Sequence, residues 1–523
     1  MKSEATTPGQ KAAHRSLAGI VSRNSFWYSI ELFFEIVVGF STSIAMARLI
    51  GPTALGYFNL VMWLINMSGV FGNLGVPLAA RKFMAEFMGR GQLGLARAVY
   101  ERAQRIQMMT AGVITVAGLG VVALAVDPDY RLMSMFMMLS LFPNMVLAVP
   151  SQANLAREDT RANVWGSLVG QSLYVVFVVA SLLTGWDLLG VAIGIFVYRT
   201  VEMLVRLLPV KAWMSELPQE PLGEDIARQL RNYSGQGMIL MAVHILVWNR
   251  SDMIFLKWLT SDTAQISFYA AAFNLTERAL TLPRIFSTAS GATLMVQYGR
   301  DESRLRPMLD VSSRYLLLCS VPVLWGLGAL SPSLIPLLYG PLYVPAIPVL
   351  SLAAAFGIAA ALAPVATATL QSYSKMGTLI GWTCVAAATD IAVNLVLIPR
   401  YGAWGAALAN GAGQMVGAIG LWWAVGRLCQ LRPAWGTLGK IILCGAGEVA
   451  VLVPLNGWLP PWQAVTVGAV LGSLVYVVLL RVLRVLGPDD GERLARACGK
   501  LPERGKRPAL SLIHWLTGAG EKA

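Results

Sequence analysis

The chain has 523 residues, of which 56% are hydrophobic and only 13% are charged, and its mean hydropathy is +0.60. Soluble domains carry about 25% charged residues, so this composition excludes an ordinary water-exposed globule and indicates a chain solvated mainly by lipid. A formal net charge of +13 would suggest nucleic-acid binding in a soluble protein. In a membrane protein, basic residues collect in cytoplasmic loops instead, and we expect no nucleic-acid partner.

Apolar runs of roughly 20 residues, the length that spans the hydrocarbon core of a bilayer, recur along the whole sequence. They predict an all-α polytopic membrane protein of about 14 transmembrane helices. Numbered 1 to 14, the predicted spans are 25–48, 57–76, 107–126, 132–150, 163–183, 187–208, 233–257, 266–288, 314–333, 345–365, 377–398, 404–425, 438–456 and 462–485.

The distribution of basic residues predicts the orientation of these spans. With the N-terminus in the cytoplasm, the cytoplasmic segments hold 34 of the 41 Lys and Arg residues, and the opposite side holds four: Arg48, Arg131, Lys257 and Arg400. This asymmetry follows the positive-inside rule. It predicts a multi-pass protein of the bacterial inner membrane with both termini in the cytoplasm. The basic segments 77–106 and 487–523 are expected to lie on the anionic inner leaflet.

A faint internal repeat divides the chain. Similar runs begin at Leu155 and Leu370, and glycine-rich runs begin at Gly190 and Gly405, both pairs at an offset of 215 residues. The repeat predicts two six-helix lobes with a substrate site between them, although chance similarity among apolar runs is an alternative. The predicted parts are a cytoplasmic N-terminal tail (1–24), an N-lobe (25–215), a C-lobe (226–430), two extra helices (434–486) and a basic cytoplasmic tail (487–523).

Five phrases resemble a known family of transporters. They are "ARLIGPTALGYFNL" at Ala47–Leu60, "NRSDMIFLKWL" at Asn249–Leu259, "FYAAAFNL" at Phe268–Leu275, "LLYGPLYVPAIPVLSLAA" at Leu337–Ala354 and "NLVLIPRYGAWGAALAN" at Asn394–Asn410. In this order and spacing they resemble Wzx-type flippases of lipid-linked oligosaccharides. That family shares a superfamily with multidrug and toxin extruders and with the lipid II flippase.

The resemblance implies two lobes that face each other in a V and rock between inward-open and outward-open states. The implied substrate is an oligosaccharide repeat unit linked to undecaprenyl pyrophosphate. Two extra C-terminal helices are common among the flippases of this superfamily, whereas drug extruders usually stop at twelve. Further expected partners are membrane lipids, with the polysaccharide polymerase and chain-length machinery as candidate protein partners.

Charged residues inside predicted spans 7 and 8 are candidates for a substrate cavity, because a charge in a spanning helix usually faces a cavity or a partner. These residues are Arg250, Asp252, Glu277, Arg278 and Arg284. Guanidinium groups bind phosphate through paired hydrogen bonds. The alternatives are structural ion pairs of the arginines with Asp252 and Glu277, and, for Arg284, a side chain that reaches the lipid head groups.

Three acidic residues are candidates for ion coupling. Glu31 and Glu35 are four residues apart on one face of predicted span 1, and two like charges that lie close together favour binding of a proton or cation. Asp390 is the single charge of predicted span 11. Pairing of the glutamates with an arginine of the C-lobe, or their exposure at the interface, is the alternative. Glu448 of predicted span 13 lies outside the two lobes.

The sequence lacks the motifs of several enzyme classes. It has no P-loop motif for ATP, no Ser/His/Asp constellation and no spacing typical of a metal site. We therefore expect a transporter with no catalytic residue, metal or cofactor. The alternatives are an ion-coupled drug or small-molecule antiporter of the same superfamily, a lipid II flippase, and a membrane-bound glycosyltransferase or polymerase.

Overall fold

The computed structural model describes residues 17–157, 159–248, 251–281, 283–284, 286–287, 305–373, 375–431, 433–498, 510–511 and 513–517. Within these ranges the regular structure is helical, and no strand is present. The predicted all-α fold class is confirmed. Arg250 and much of both predicted tails lie outside the described residues.

The chain forms two compact units, with the boundary between Ile245 and Leu246. The helices of the first unit are α1 (Leu17–Ile50), α2 (Pro52–Gly72), α3 (Val76–Gly89), α4 (Leu93–Ala125), α5 (Pro128–Leu139), α6 (Leu141–Val146), α7 (Ala148–Ala156), α8 (Arg161–Thr184), α9 (Asp187–Glu216) and α10 (Glu224–Trp248).

The second unit holds the rest of the chain. Its elements are α11 (Asp252–Leu259), α12 (Ala264–Ala279), α13 (Leu305–Ala329), α14 (Ser331–Tyr339), a 3-10 helix (Pro341–Ala346), α15 (Ile347–Ser372), α16 (Met376–Leu428), α17 (Trp435–Trp458), α18 (Pro461–Val482) and α19 (Pro488–Cys498).

In the described part of the chain, 11 helical segments are long and apolar enough to cross a membrane. One of them, α16, has 53 residues and is two helices that meet at Gly402, where φ is +55°. With α16 counted as two helices, the 11 segments give 12 spans, which correspond to predicted spans 1–6 and 9–14. Predicted spans 7 and 8 fall on α10, α11 and α12, none of which is both long and apolar enough.

The boundary between the units falls inside predicted span 7, because the first part of α10 packs on the first unit. The ring of Tyr233 meets the ring of Phe83 edge-on, with 6.2 Å between centroids, and Lys82 Nζ lies 4.2 Å from the centre of the Tyr233 ring. Leu230 is buried in the same hydrophobic cluster as Phe83. Residues 224–245 therefore fold with the preceding helices.

Two basic segments that we expected to lie on the lipid surface pack against protein. In α3, part of the segment 77–106, the apolar face is buried in the first unit through Phe83, Met84 and Phe87. In the C-terminal tail, Asp490 accepts hydrogen bonds from Arg314 and Tyr315 of α13. The apolar face of α3 therefore has a protein partner, and the start of the tail is joined to α13 by polar contacts. Contact of either segment with the anionic leaflet stays a prediction.

Helical hairpins recur at the positions of the sequence repeat. A Cβ atom on Gly190 would lie 2.0 Å from Ser181 Oγ, where α9 turns back along α8. A Cβ atom on Gly405 would lie 2.6 Å from the carbonyl oxygen of Leu397, where the second half of α16 turns back along the first. Glycine lets backbones approach closely, so these residues set the tight packing of each hairpin.

Gly420→Ala is expected to destabilise the second unit, because the new Cβ would lie 2.0 Å from the Trp382 ring of the facing half of α16. Overpacking of this kind costs about 1–3 kcal/mol. Gly381→Ala is the matched control in the same element, since nothing lies within 4 Å of its Cβ position, and alanine favours a helix by about 0.5–1 kcal/mol over glycine. Thermal unfolding in detergent checks both, and equal melting temperatures would contradict the close packing.

Candidate functional site

A fully buried carboxylate organises the second unit. Asp252 opens α11, and its side chain has 0% exposure. Three donors satisfy it: Tyr269 Oη at 2.5 Å and Asn410 Nδ2 at 3.1 Å donate to Oδ2, and Asn394 Nδ2 at 2.7 Å donates to Oδ1. These donors come from α12 and from the two halves of α16. One carboxyl group thus holds three helical segments together.

A second carboxyl group lies beside the first. Asp390 precedes Asn394 by one turn of α16 and so shares its helix face, is 5% exposed, and interacts electrostatically with Asp252. Two carboxylates in a buried site cannot both be ionised without a large free-energy cost. We call Asp252 and Asp390 the acid pair.

Two buried acceptor oxygens at the acid pair lack a hydrogen-bond donor among the described residues. Asp390 Oδ1 and Asn394 Oδ1 are both buried, and neither has a hydrogen-bond partner among the residues that the structure describes. Buried polar atoms are normally satisfied. A proton on the pair, or a small cation between these oxygens, would supply the missing positive charge.

A cavity within the second unit adjoins the acid pair. Glu277 and Arg284 line it from the region of α12, and Asn410 and Gln414 line it from α16. Gln414 Nε2 donates to Asn410 Oδ1 at 2.7 Å, and Asn410 in turn donates to Asp252. A path of hydrogen bonds therefore runs from the cavity wall to the buried carboxylate. The apolar lining consists of Phe273, Leu280, Ala353, Phe356, Ala360 and Ala407.

The structure separates the five predicted cavity residues. Glu277 and Arg284 line this cavity, and Arg284 is exposed. Asp252 lies behind the cavity wall and is reached through Asn410. Arg278 is exposed and does not line this cavity. Arg250 lies outside the described residues.

Glu31 belongs to a charged cluster in the first unit. Arg206 Nη2 lies 3.3 Å from Glu31 Oε1 and 2.5 Å from Glu202 Oε1, and it also donates to Ser167 Oγ at 2.6 Å. Ser167 Oγ donates to Glu31 Oε1 at 2.5 Å. Glu31 therefore pairs with an arginine, but the predicted partner from the C-lobe is wrong, because Arg206 comes from α9 of the same unit.

Charge is balanced in this cluster. Arg199 Nη1 donates to Glu202 Oε2 at 2.8 Å, so two guanidinium groups face the carboxylates of Glu31 and Glu202. Glu35, one turn after Glu31, is exposed. Since the arginines already supply positive charge, the cluster needs no further cation for neutrality.

Sequence reasoning missed the partners of the predicted residues. Arg199, Glu202 and Arg206 lie near the predicted end of span 6, whereas α9 continues to Glu216. Their spacing of three and four residues, which places side chains on one helix face, was the available signal. Tyr269, Asn394 and Asn410 all lie inside the family-like phrases. They were missed because an uncharged polar residue in an apolar span carries no charge to mark it as a candidate.

Glu448 is a further buried acid of the second unit. It is 3% exposed, and its Oε2 has no hydrogen-bond partner in the described part of the chain. Its Oε1 lies 3.1 Å from the Cβ positions of Gly326 in α13 and Gly472 in α18. Two glycines therefore make room for this carboxyl group between the helices.

Comparison with known proteins identifies the family. The profile of the family described as "Polysaccharide biosynthesis protein" matches residues 21–295, more than half of the chain. The chain belongs to this family. The match covers the charged cluster of the first unit together with Asp252, Glu277 and Arg284. Among curated proteins, no sequence matches this chain.

Solved structures identify the fold of this chain. The lipid II flippase MurJ in an inward closed conformation is 14% identical with a TM-score of 0.70, over 87% of this chain and 98% of MurJ. An inward-facing multidrug resistance transporter of the MATE family is 14% identical with a TM-score of 0.64, over 78% of this chain and 98% of that transporter. A MOP superfamily transporter from Pyrococcus furiosus has a TM-score of 0.58 at 14% identity, over 82% of this chain and 99% of that chain.

These likenesses show a multi-pass membrane protein with the fold of MOP superfamily transporters and flippases. The predicted resemblance to the polysaccharide flippases and their superfamily is confirmed at the level of family and fold. The acid pair and the charged cluster are each a polar site inside otherwise apolar helices.

Arg206→Met is expected to destabilise the first unit, because it leaves the carboxylates of Glu31 and Glu202 without their shared partner. Removing one member of a buried ion pair costs about 3–5 kcal/mol. The double variant with Glu202→Gln should recover part of that loss, since it removes one of the stranded charges. The free energy of unfolding in denaturant measures both effects.

Arg90→Met is the control for this experiment, because Arg90 pairs with Glu86 at 2.7 Å on the surface, with 62% of its side chain exposed. Exposed pairs contribute about 0–1 kcal/mol. Equal losses for Arg206→Met and Arg90→Met would contradict a buried structural cluster.

Proposed function

We propose that this protein is a flippase that moves undecaprenyl-pyrophosphate-linked oligosaccharide repeat units across the bacterial inner membrane for surface polysaccharide biosynthesis. The observation that carries the proposal is membership of a polysaccharide biosynthesis family in a chain with a transporter fold. The mechanism is alternating access, with both termini in the cytoplasm. The polysaccharide polymerase and the chain-length machinery are the proposed protein partners.

In this proposal the cationic side chains of predicted spans 7 and 8 receive the anionic head group. Arg284 lines a cavity beside Glu277, and a guanidinium group offers two parallel hydrogen bonds to a phosphate. A pyrophosphate cannot cross hydrocarbon without such partners, because an unpaired charge there is costly. Arg250 and Arg278 remain proposed contacts of the same head group.

The acid pair is the proposed ion-coupling site. Asp390 was predicted for this role, Asp252 adds a second carboxyl group beside it, and Asp390 Oδ1 and Asn394 Oδ1 are buried acceptors without a donor among the described residues. Loss of a proton or cation from the pair leaves like charges facing each other, which favours a rearrangement of the helices that carry them. Each charge moved across the membrane contributes about 2.3 kcal/mol per 100 mV. Coupling through Glu31 and Glu35 stays a prediction. It is the second choice, because Glu31 already has a cationic partner in Arg206.

A lipid extract from cells that lack the gene tests the substrate. We expect complete undecaprenyl-linked repeat units to accumulate, and wild-type protein to relieve the accumulation. Arg284→Gln should relieve it less, by about tenfold in flux, because a charge-assisted contact with the phosphate is lost. Arg90→Gln is the control, since it removes the same charge from a surface position of the first unit, where 62% of the side chain is exposed.

Each alternative function gives a different result in the same cells. Rescue of a strain that lacks its own lipid II flippase would indicate that the substrate is lipid II. Altered drug susceptibility with unchanged polysaccharide and unchanged lipid-linked intermediates would indicate an antiporter. Equal relief by Arg284→Gln and wild type would remove Arg284 from the substrate contacts and leave the flippase assignment in place.

Asp390→Asn is expected to abolish the dependence of transport on an imposed proton or sodium gradient, because one titratable member of the acid pair is lost. Flipping of a fluorescent lipid-linked oligosaccharide in proteoliposomes measures this dependence, with each gradient imposed separately. Glu448→Gln is the control, since it neutralises another buried acid far along the chain in α17 and should retain the wild-type response.

The same measurement decides whether the acid pair drives transport. A wild-type flipping rate that is independent of both gradients would contradict ion coupling. Removal of product outside the membrane would then be the driving force. A gradient response retained by Asp390→Asn would assign coupling to another acid, with Glu31 and Glu35 as the next candidates.

A further inference from the structure

A second cavity in the second unit is separate from the acid pair. Its volume is about 620 Å³, within the range of roughly 300–1,000 Å³ that is usual for ligand sites. It shares no lining residue with the cavity that contains Glu277 and Arg284. The lining residues are Ile358, Ala359 and Leu362 of α15, Met415, Ala418, Ile419, Trp422, Trp423, Gly426 and Arg427 of α16, and Leu431, Pro433 and Trp435.

One end of this cavity is aromatic and basic. Arg427 lies in the last turn of α16, with its guanidinium carbon 5.6 Å from the centre of the Trp423 ring. The Trp422 and Trp435 rings meet edge-on with 5.8 Å between centroids. Tryptophan and arginine at the end of a spanning helix mark the boundary between hydrocarbon and head groups. The other end, around Ile358 and Leu362, is apolar.

The cavity opens to the surroundings of the protein. Ile419 is 62% exposed and Trp423 is 54% exposed, so a membrane lipid reaches the cavity directly. Its rim is held in place, because the backbone N–H of Ala434 donates to Asp310 Oδ1 at 2.8 Å. A fixed rim keeps the cavity formed without a ligand.

The lining combines one charged side chain with an apolar wall. Arg427 is the one charged residue among the described residues that line the cavity, and the others are apolar or aromatic. A ligand that carries an anionic group next to a long apolar chain would pair with Arg427 and fill the apolar end.

We propose that this cavity binds one anionic phospholipid from the leaflet that borders the basic loops. An acyl chain lies along Ile358, Leu362 and Ile419, and the phosphodiester pairs with Arg427. Arg427, the one cation among the described residues that line the cavity, matches the single negative charge of a phosphodiester. The bound lipid joins the end of α16 to the start of α17, and therefore stabilises the folded state through binding.

Lipid titration of the purified full-length protein in detergent tests the proposal, with native mass spectrometry and melting temperature as readouts. Phosphatidylglycerol is expected to bind and to raise the melting temperature, whereas phosphatidylcholine is not. Arg427→Gln should bind phosphatidylglycerol about tenfold more weakly, the effect of losing one charge-assisted contact. Arg400→Gln is the matched control, since it removes an exposed arginine next to the Gly402 bend of the same element and should bind like wild type.

Trp423→Ala provides a second variant that does not create a buried hole, because Trp423 is half exposed. This variant should also weaken binding.

Equal binding by wild type, Arg427→Gln and Trp423→Ala would overturn the proposal. Equal affinity for phosphatidylglycerol and phosphatidylcholine would overturn the role of Arg427. Tighter binding of undecaprenyl phosphate than of phosphatidylglycerol would reassign the cavity to the lipid of a substrate. Neither of the last two results depends on transport, so they are separable from failure of the proposed function.

Discussion

Satisfying the buried carboxyl group of Asp252 is the constraint around which the second unit is arranged. A charge or an unpaired polar atom in a lipid-solvated chain is costly, so three donors must converge on one side chain. Asn394 and Asn410 reach it from opposite sides of the Gly402 bend. The Gly402 bend folds α16 into a hairpin, and the close approach at Gly405 keeps its two halves together. Both features therefore bring the two asparagine donors to the Asp252 carboxyl group.

The two units solve the problem of buried charge differently. In the first unit, Arg199 and Arg206 face Glu31 and Glu202, and serine hydroxyls complete the hydrogen bonding. In the second unit, the acid pair is surrounded by amides and a phenol, which donate hydrogen bonds but carry no charge. Neutrality there requires a proton or cation from outside, which is why the proposed driving force is assigned to the second unit.

Hydropathy predicted most of the fold because lipid imposes the length and apolarity of each span. It was least accurate around α10 to α12, where polar residues interrupt the apolar pattern. The acids Asp252 and Asp390 were recognisable as intramembrane charges. Their partners were not, since the contacts of Asp252 with Asn394 and Asn410 join residues 142 and 158 positions apart. Arg206 was missed because a basic residue near a span end is normally counted with the loop.

Asn410 gives the second unit a physical means of coupling two ligands. Its Nδ2 donates to Asp252, and its Oδ1 accepts from Gln414 on the cavity wall. A ligand that competes for either amide changes the stabilisation of the buried carboxylate, and a proton or cation at the acid pair changes the amides that the cavity presents. Such a dependence must be reciprocal, because the two binding free energies share one coupling term. A connected hydrogen-bond path within one unit thus links the cavity wall to the proposed ion-coupling site.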